Sequence, residues 1–242
     1  ITKKRRKGNI REKIIDLSMD IKSGMVANRD FAGNIFVPLI SHEQSKAFHA
    51  GVPGDPFLSS WNYIGMTEHT GTHVDGFYHM DPDGLTIDQM PLELFFGKAV
   101  CFDMTHIPPG GCITAKDMEE AQKKSGVVVD GHIVLLATGH HKRYFPKDEV
   151  LTMNPEVSAE AVRWLYEHHS RMHGVEGPST DILEKQTFPS HRACRDLKIA
   201  HYEWLVNLEE LIGKGEFMFY GIPLRLKGGS GSPVRAFAVV KE

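Results

Sequence analysis

The 242-residue chain has 28 basic and 31 acidic side chains and a formal net charge of -3, so its overall charge favours neither nucleic acid nor an anionic membrane. Its length and its hydrophobic fraction of 41% are those of a globular domain with a substantial core. Three cysteines without paired spacing argue against a disulfide framework and favour a reducing compartment, so we expect the cytoplasm. The sequence has no apolar run of membrane-spanning length.

The first sixty residues have few regular patterns. A basic run at residues 3–7 lies in what we interpret as a solvated tail, residues 1–12, the alternative being an arm that binds nucleic acid. Residues 14–19 have the pattern of a first strand. Residues 24–60 are rich in Gly, Pro, Asn and Ser, with a turn at residues 52–56. This region predicts a long irregular loop, a lid or a subunit contact.

Beyond residue 60, strand patterns alternate with helix patterns. The strand patterns lie at residues 61–66, 99–104, 127–129, 132–137, 217–220 and 234–240. Thr114 and Asp117 resemble a capping box, and Gly126 marks the end of that helix. Ser158 caps a second helix with one apolar face. The alternation predicts a mixed α/β protein, and without any linker we expect residues 13–242 to form a single domain.

The densest set of metal-binding side chains lies in the run HTGTHVDGFYH at residues 69–79. It contains three imidazoles and one carboxylate: His69, His73, Asp75 and His79. In a straight strand His69 and His73 would lie ~13 Å apart, too far to share an ion. The chain must therefore bend, and Gly71 and Gly76 permit it to do so. The run predicts a metal site built on a tight turn.

Two imidazoles and one carboxylate leave ligand positions open, which distinguishes a catalytic metal site from a closed structural one. A bound divalent ion makes hydroxide available near neutral pH and polarises a carbonyl oxygen. His79 is then free to give a proton to the leaving atom of a hydrolysed bond, since its pKa is suitable. Zn, Mn and Fe fit these ligands about equally.

The run at residues 69–79 resembles the signature HxGTHxDxPxH of the cyclase-like metal-dependent hydrolases, the family of kynurenine formamidase, isatin hydrolase and trans-dienelactone hydrolase. Further segments are similar to the family pattern: residues 52–56, 135–139, 177–181, 223–226 and 231–236. Phe77 stands where the motif has proline. His140 and His141 stand where a tryptophan is common, so the departures concern the pocket rather than the ligands.

The resemblance implies a ligand set and a fold. His69, His73 and Asp75 would bind one Zn or Mn ion, with Asp75 bridging to a second ion where one is present. His191 and Glu203, twelve positions apart, would bind that second ion. The implied architecture is a swivelling β/β/α-type single α/β domain with a mixed, barrel-like central sheet. Homodimers or homotetramers, with pockets completed across subunits, are implied as well.

Other side chains near the motif have weaker assignments. The candidate walls of a substrate pocket are Trp61, Tyr63, Phe77 and His140, although the aromatic rings fit a core equally well. The family resemblance also suggests that Asp181 orients a metal-binding histidine. His168, His169 and His173 are placed on the second helix and given no role.

We therefore predict a metal-dependent hydrolase in which a metal-bound hydroxide cleaves an amide, cyclic amide or lactone of a small molecule, and His79 transfers the proton. We expect no nucleic-acid or membrane partner. The alternative is a metal-binding regulator or scaffold without catalysis.

Overall fold

A curled sheet of nine strands organises the chain in this computed structural model, which describes residues 11–25, 33–50, 53–54 and 57–241. The strands are β1 (Glu12–Asp16), β2 (Ile35–Ile40), β3 (Trp61–Gly65), β4 (His73–Asp75), β5 (Phe96–Asp103), β6 (Cys112–Ile113), β7 (Ile133–Ala137), β8 (Glu156–Val157), β9 (Met172–Val175), β10 (Ala200–Glu203), β11 (Phe217–Tyr220), β12 (Gly231–Pro233) and β13 (Phe237–Lys241). The α-helices are α1 (His42–Phe48), α2 (Phe77–Met80), α3 (Ala115–Ser125), α4 (His140–Tyr144), α5 (Ala159–Glu167) and α6 (Pro189–Leu197). Short 3₁₀ turns lie at Leu92–Phe95, Asp148–Leu151, Leu183–Lys185 and Leu208–Leu211.

The central sheet has the strand order β1-β13-β11-β5-β7-β9-β10-β4-β12. The middle strands β5, β7, β9 and β10 are parallel, and antiparallel strands extend the sheet on both sides. All five residues of β7 are buried, as expected for a parallel strand covered on both faces. The predicted α/β fold with a mixed, barrel-like central sheet is confirmed.

Two apolar layers cover the two faces of this sheet. Leu135 of β7 belongs to one buried cluster, while its neighbours Val134 and Leu136 belong to the other. Successive side chains of a strand point to opposite faces, so β7 lies between the two layers. Met118 of α3 and Leu165 of α5 pack in the second layer, which places these helices on one side of the sheet.

The predicted helices begin where their capping residues indicated. The Thr114 side chain accepts from the backbone N–H of Asp117, whose carboxylate accepts from the backbone N–H of Thr114. Gly126 ends α3 in the left-handed conformation, with φ of 70°. Ser158 accepts from the backbone N–H of Ala161 at the start of α5. The sequence therefore predicted the start of both helices and the end of α3.

The region from residue 24 to residue 60 is more regular than its composition indicates. It contains β2 and α1, and β2 pairs with β3 in a separate two-stranded antiparallel sheet. Ser41 and Gln44 form a capping box at the start of α1. Pro38 is accommodated because each strand of a two-stranded sheet is an edge. The prediction of one long irregular region is wrong for these elements, and residues 127–129 are not a strand.

The two ends of the described chain meet in the central sheet, since β1 pairs with β13. A single domain over residues 13–242 stays a prediction that agrees with this pairing. The basic run at residues 3–7 and three of the five residues of the turn at 52–56 lie outside the described residues. Among the described residues, no helix has the length and apolar character needed to cross a lipid bilayer.

Candidate metal centre

The turn before β4 brings His69 back onto Asp75. Gly71 has a φ of +61°, and a Cβ on it would lie 3.0 Å from the Ile21 side chain, so any other residue would be strained there. His69 Nδ1 consequently lies 2.7 Å from Asp75 Oδ1. His73 donates from Nδ1 to the carbonyl of Gly71 (2.8 Å), which turns its Nε2 towards Asp75. The chain bends at the glycine, as the spacing of the histidines required.

A second bend follows β4 and positions His79. Gly76 donates its N–H to the carbonyl of Ser230 (2.8 Å), and a Cβ on Gly76 would lie 2.9 Å from that oxygen. The single turn α2 begins immediately after this contact. It places His79 Nε2 3.5 Å from Asp75 Oδ2, four residues back along the chain. The carboxylate of Asp75 thus lies beside His69, which the first bend positions, and beside His79, which the second bend positions.

The later part of the chain contributes His191 from α6 and Glu203 from the end of β10. Asp181 accepts from the backbone N–H groups of Ser190 and His191, and from His191 Nδ1 at 2.5 Å. This arrangement turns His191 Nε2 towards Asp75 Oδ2 (3.7 Å) and Glu203 Oε1 (4.0 Å). The family resemblance suggested that Asp181 orients a metal-binding histidine, and its contact with His191 agrees with that suggestion.

The register of the sheet brings the two carboxylates together. Strand β10 pairs antiparallel with β4, with Glu203 opposite His73 and His201 opposite Asp75. Paired residues share a face of a sheet, so all four side chains project to one side. Glu203 Oε2 lies 3.5 Å from His73 Nε2. Six residues were predicted as metal ligands or as the proton-transfer group. They therefore meet at one place, although the first and the last are more than a hundred positions apart in the sequence.

The imidazoles and carboxylates shift one another's pKa. Burial raises the pKa of Asp75, but His79, His69 and other imidazoles outweigh burial and hold that pKa well below its ordinary value. Burial lowers the pKa of His191, whereas its bonds to Asp181 and Asp75 outweigh burial and raise the pKa to about 9. Asp75 raises the pKa of His79, but burial and the charges of His69 and His191 leave it below its ordinary value. The lowered pKa leaves the ring of His79 neutral near pH 7.

The donor set fits a divalent cation. His73 Nε2 is buried and makes no hydrogen bond within the described part of the chain. An imidazole that donates through Nδ1 offers Nε2 as a lone pair, which is how histidine binds a metal. Two groups of ligand-type atoms within 4.8 Å of one another share Asp75: one has His69 and His73, the other has His191, His201 and Glu203. Imidazoles and carboxylates suit Zn and Mn alike.

A pocket of about 450 Å³ opens onto this cluster. Its walls include all six predicted ligand and proton-transfer residues: His69, His73, Asp75, His79, His191 and Glu203. The remaining walls were not predicted from the sequence. They include apolar side chains, Met80, Leu183, Phe188 and Trp204, and the polar side chains Gln186, Arg192 and Arg195. The site is therefore a polar base beneath a partly apolar cavity, the usual form of a small-molecule site.

The four residues predicted to form pocket walls lie elsewhere. Trp61 and Tyr63 are on β3, 59% and 57% exposed, because β3 pairs with β2 rather than with the central sheet. Phe77 packs against the apolar core. His140 is buried, with its Nε2 2.8 Å from the carbonyl oxygen of Val150. For the pocket of a single chain this prediction is wrong.

Two buried histidines went unrecognised in the sequence. His201 lies beside both carboxylates, with Nε2 3.2 Å from Asp75 Oδ2. Its spacing of two from Glu203 was a usable signal, because alternate residues of a strand share a face. His173, expected on the second helix, is instead fully buried on β9, and its ring centroid lies 5.3 Å from that of His201. The helix α5 ends at Glu167, so the assignment of His173 to it is wrong.

Comparisons with known proteins agree with this geometry. The chain belongs to the cyclase family, whose model, described as a putative cyclase, matches residues 15–182. The match confirms the resemblance drawn from residues 69–79. It includes Asp181 but ends before His191 and Glu203.

Two kynurenine formamidases and a solved isatin hydrolase are similar to most of the chain. The chain is 27% identical to kynurenine formamidase of Salinibacter ruber and 29% identical to that of Bacillus cereus, each over 171 residues covering 71% of this chain and 76% of the relative. Among solved structures it is similar to isatin hydrolase A from Labrenzia aggregata bound to benzyl benzoate, with a TM-score of 0.79 and 25% identity. That similarity covers 96% of this chain and 94% of the other. The likeness extends over nearly the whole fold.

Proposed function

We propose that the protein hydrolyses the amide bond of a small molecule that carries an aromatic or other flat ring, in an open-chain or a cyclic amide. The observation that carries the proposal is the meeting of residues 69–79 with His191 and Glu203 at the base of one pocket. Relatives named kynurenine formamidase and isatin hydrolase support the amide class. Lactones, whose C–O bond is cleaved by similar chemistry, are the second substrate class.

The protein is a metal-dependent hydrolase. Its family, its relatives and its groups of histidine and acidic residues able to hold an ion all support metal-dependent amide hydrolysis. The cofactor is a divalent metal, and within that class we propose Zn or Mn, with two ions per chain. The first ion would have His69, His73 and Asp75 as ligands. The second would have Asp75, His191 and Glu203.

A divalent ion held by these residues would lower the pKa of a bound water enough to supply a nucleophile near neutral pH, and would polarise a carbonyl oxygen. His79 supplies the proton transfer. Its side chain is 34% exposed and lines the pocket, and its lowered pKa leaves the ring neutral near pH 7. It accepts a proton as water adds to the carbonyl carbon and returns it to the leaving nitrogen, which departs poorly as an anion.

The pocket walls support a substrate with a flat ring. The volume of about 450 Å³ lies in the range of small-molecule sites. Phe188 and Trp204 are the aromatic side chains of the wall, and both have left-handed backbone conformations, with φ of 48° and 56°. Holding two non-glycine residues in this conformation costs free energy, which is common where side chains are aimed at a ligand.

We also propose that the protein forms a homodimer or homotetramer through the β2–β3 sheet. Large apolar side chains are exposed on both strands: Ile35, Val37, Leu39, Trp61, Tyr63 and Ile64. An apolar surface of this kind supports a protein contact. Light scattering should give a multiple of the 27.1 kDa chain mass, and Trp61→Ser should lower it. The three unpaired cysteines, Cys101, Cys112 and Cys194, support the proposal of a cytoplasmic location.

The test of the function is hydrolysis with and without metal. Purified protein is stripped with a chelator, reloaded with Zn or Mn, and assayed on N-formyl aryl amines, isatin-type cyclic amides and aryl lactones. We expect turnover of at least one amide class after reloading and none in the stripped protein. Full turnover by the metal-free protein would overturn the proposal. Two bound ions with no turnover of any of these substrates would favour a metal-binding scaffold instead.

A further inference from the structure

His201 is a buried imidazole that faces two carboxylates. It is 0% exposed, and neither ring nitrogen reaches hydrogen-bond geometry within the described part of the chain. Its Nε2 nevertheless lies within ion-pair distance of both carboxylates, and these are the atoms that a cation between them would use. Its Nε2 lies 3.2 Å from Asp75 Oδ2 and 3.3 Å from Glu203 Oε1.

The oxygens of the two carboxylates divide the surrounding imidazoles into two sets. Asp75 Oδ1 lies beside His69 (2.7 Å) and His73 (3.2 Å). Asp75 Oδ2 and Glu203 Oε1 lie beside His191 and His201, at distances from 3.2 to 4.0 Å. His79 Nε2 also lies 3.5 Å from Asp75 Oδ2, but its side chain is 34% exposed on the pocket side. Each side of Asp75 therefore has its own group of nitrogen donors, and His201 belongs to the side of His191.

We infer that His201 is a fourth protein ligand of the second ion, beside Asp75, His191 and Glu203. The inference rests on the proposed two-ion centre. Two ligands ~2.1 Å from one ion lie at most ~4.2 Å apart. The separations of 3.2 to 4.0 Å from the carboxylate oxygens to these imidazoles are within that limit.

A fourth ligand gives the two ions different roles. Four protein ligands complete the tetrahedral set typical of a structural site, whereas three leave a position open for chemistry. The second ion holds Asp75 and Glu203 in place and exchanges slowly. The first ion, with His69, His73 and Asp75, is the one that substrate reaches. His201 itself is not among the pocket walls, as expected for a ligand behind the ion.

A different ion position competes for the same ring. His173, Cys194 and His201 also offer three ligand atoms within 4.8 Å of one another. The pocket favours the carboxylate side, because it reaches Asp75, His191 and Glu203 but has neither His173 nor Cys194 among its walls. His173 Nε2 has the Thr180 hydroxyl as a partner at 3.2 Å, whereas its Nδ1 makes no hydrogen bond within the described part of the chain. The experiment must therefore separate the two positions.

The test is metal content and affinity of the full chain, with His201→Gln as the variant and His173→Gln as its control. His173 is opposite His201 in the sheet and equally buried, so the control matches the substitution and its burial. After Zn loading and dialysis, elemental analysis should find two ions in the wild type and in His173→Gln, and one in His201→Gln. The affinity for the second ion should fall by more than the ~10–100-fold that loss of a supporting group outside the ligand set costs.

Substitution with cobalt shows whether the ion lies on the carboxylate side or on the cysteine side of His201. In the Co-loaded wild type we expect no thiolate-to-metal charge-transfer band, because Cys194 is not a ligand. Such a band, or equal loss of metal in His173→Gln and His201→Gln, would overturn the inference in favour of the cysteine side. Retention of two ions at wild-type affinity in His201→Gln would overturn it too, and would leave the proposed hydrolysis intact.

A measurement on the wild type alone covers the case in which His201→Gln does not fold. A chelator should remove the two ions in two phases, with the slower at least tenfold slower than the faster. Removal in a single phase, or binding of a single ion, would contradict the inference. Turnover in the metal-free protein is the separate result that would contradict the proposed function.

Discussion

Two segments, which we name the local arm (residues 69–79) and the remote arm (residues 191–203), bring similar donors to the same carboxylates by different means. The local arm bends at Gly71 and Gly76, where a side chain would collide with Ile21 or with the Ser230 carbonyl. The remote arm has no such bends at its donors. Regular secondary structure and the register of β10 against β4 hold them.

The two arms differ in role: the local arm ends in the proton-transfer group, and the remote arm holds an ion in place. His79, at the end of the local arm, has a side chain that is 34% exposed, whereas Glu203 and His201 of the remote arm are nearly or fully buried. A group that exchanges protons with substrate must reach the pocket, while a group that holds an ion in place is better buried and braced. Substitution of the exposed group should therefore impair turnover, whereas substitution of the buried groups should impair metal binding.

The largest effect is expected at His73, the buried histidine of the local arm. His73→Ala removes a ligand of the first ion, so both metal content and turnover should fall. Loss of a catalytic ion amounts to several kcal/mol, which corresponds to about 10³-fold or more in kcat. Elemental analysis and steady-state kinetics measure the two quantities. His106→Ala, at a half-exposed histidine paired with Asp117, should change neither.

His79→Gln should leave the metal in place and lower kcat by about 10²–10⁴-fold, the usual contribution of general acid–base catalysis. Because the neutral ring is the reactive form and its pKa is lowered, wild-type kcat should fall on acidification only below the ordinary histidine value of ~6.5. That acid limb should disappear in the variant. Tyr78→Phe, at the neighbouring exposed position of α2, is the control. Loss of metal in His79→Gln would assign His79 to the ligands instead.

The sequence predicted the local arm well because its donors lie within one run of eleven residues and glycines mark both bends. His191 and Glu203 came from the family resemblance alone, since a spacing of twelve across a helix and a strand has no local signature. His201 was overlooked although its spacing of two from Glu203 places both residues on one face of a strand. The sequence does not show that β10 pairs with β4, which brings that face to Asp75.

The same reasoning explains what was missed in the fold and the pocket. Capping residues predicted α3 and α5 because a cap is a local interaction. Trp61 and Tyr63 are not among the walls of the pocket in their own chain. The sequence could not show this, because an aromatic strand has the same pattern beside a pocket, in a core or on an exposed surface. Only the pairing of β3 with β2 decides among these environments. Phe188 and Trp204 reach the pocket from irregular segments whose direction no periodic pattern predicts.

A smaller effect is expected from Asp181, which supports the remote arm without being a proposed ligand. Asp181→Asn keeps the shape of the side chain but weakens its hold on His191 Nδ1. Metal affinity should fall by about 10–100-fold, as for other groups that orient a ligand histidine. Chelator competition measures the change, and Asp83→Asn, at an exposed turn, is the control. An unchanged affinity would show that the backbone alone positions His191.

The smallest effect compares a glycine of the local arm with a glycine remote from the site. Gly71 and Gly213 both have positive φ, +61° and +75°, but a Cβ at Gly71 lies 3.0 Å from Ile21 while one at Gly213 meets nothing within 4 Å. Alanine at either position costs about 1–2 kcal/mol of unfolding free energy from the left-handed backbone. Crowding adds roughly 1 kcal/mol at Gly71 alone. Urea unfolding of the metal-free proteins measures this difference.

Metal affinity then shows whether the bend at Gly71 matters to the site as well as to stability. Gly71→Ala should bind the first ion several-fold more weakly, because His73 donates to the carbonyl of residue 71 and shifts with it. Gly213→Ala should bind both ions as the wild type does. Equal affinities in the two variants would mean that the local arm tolerates movement at its bend. The contrast between an arm shaped by glycines and an arm braced by its sheet would then no longer hold.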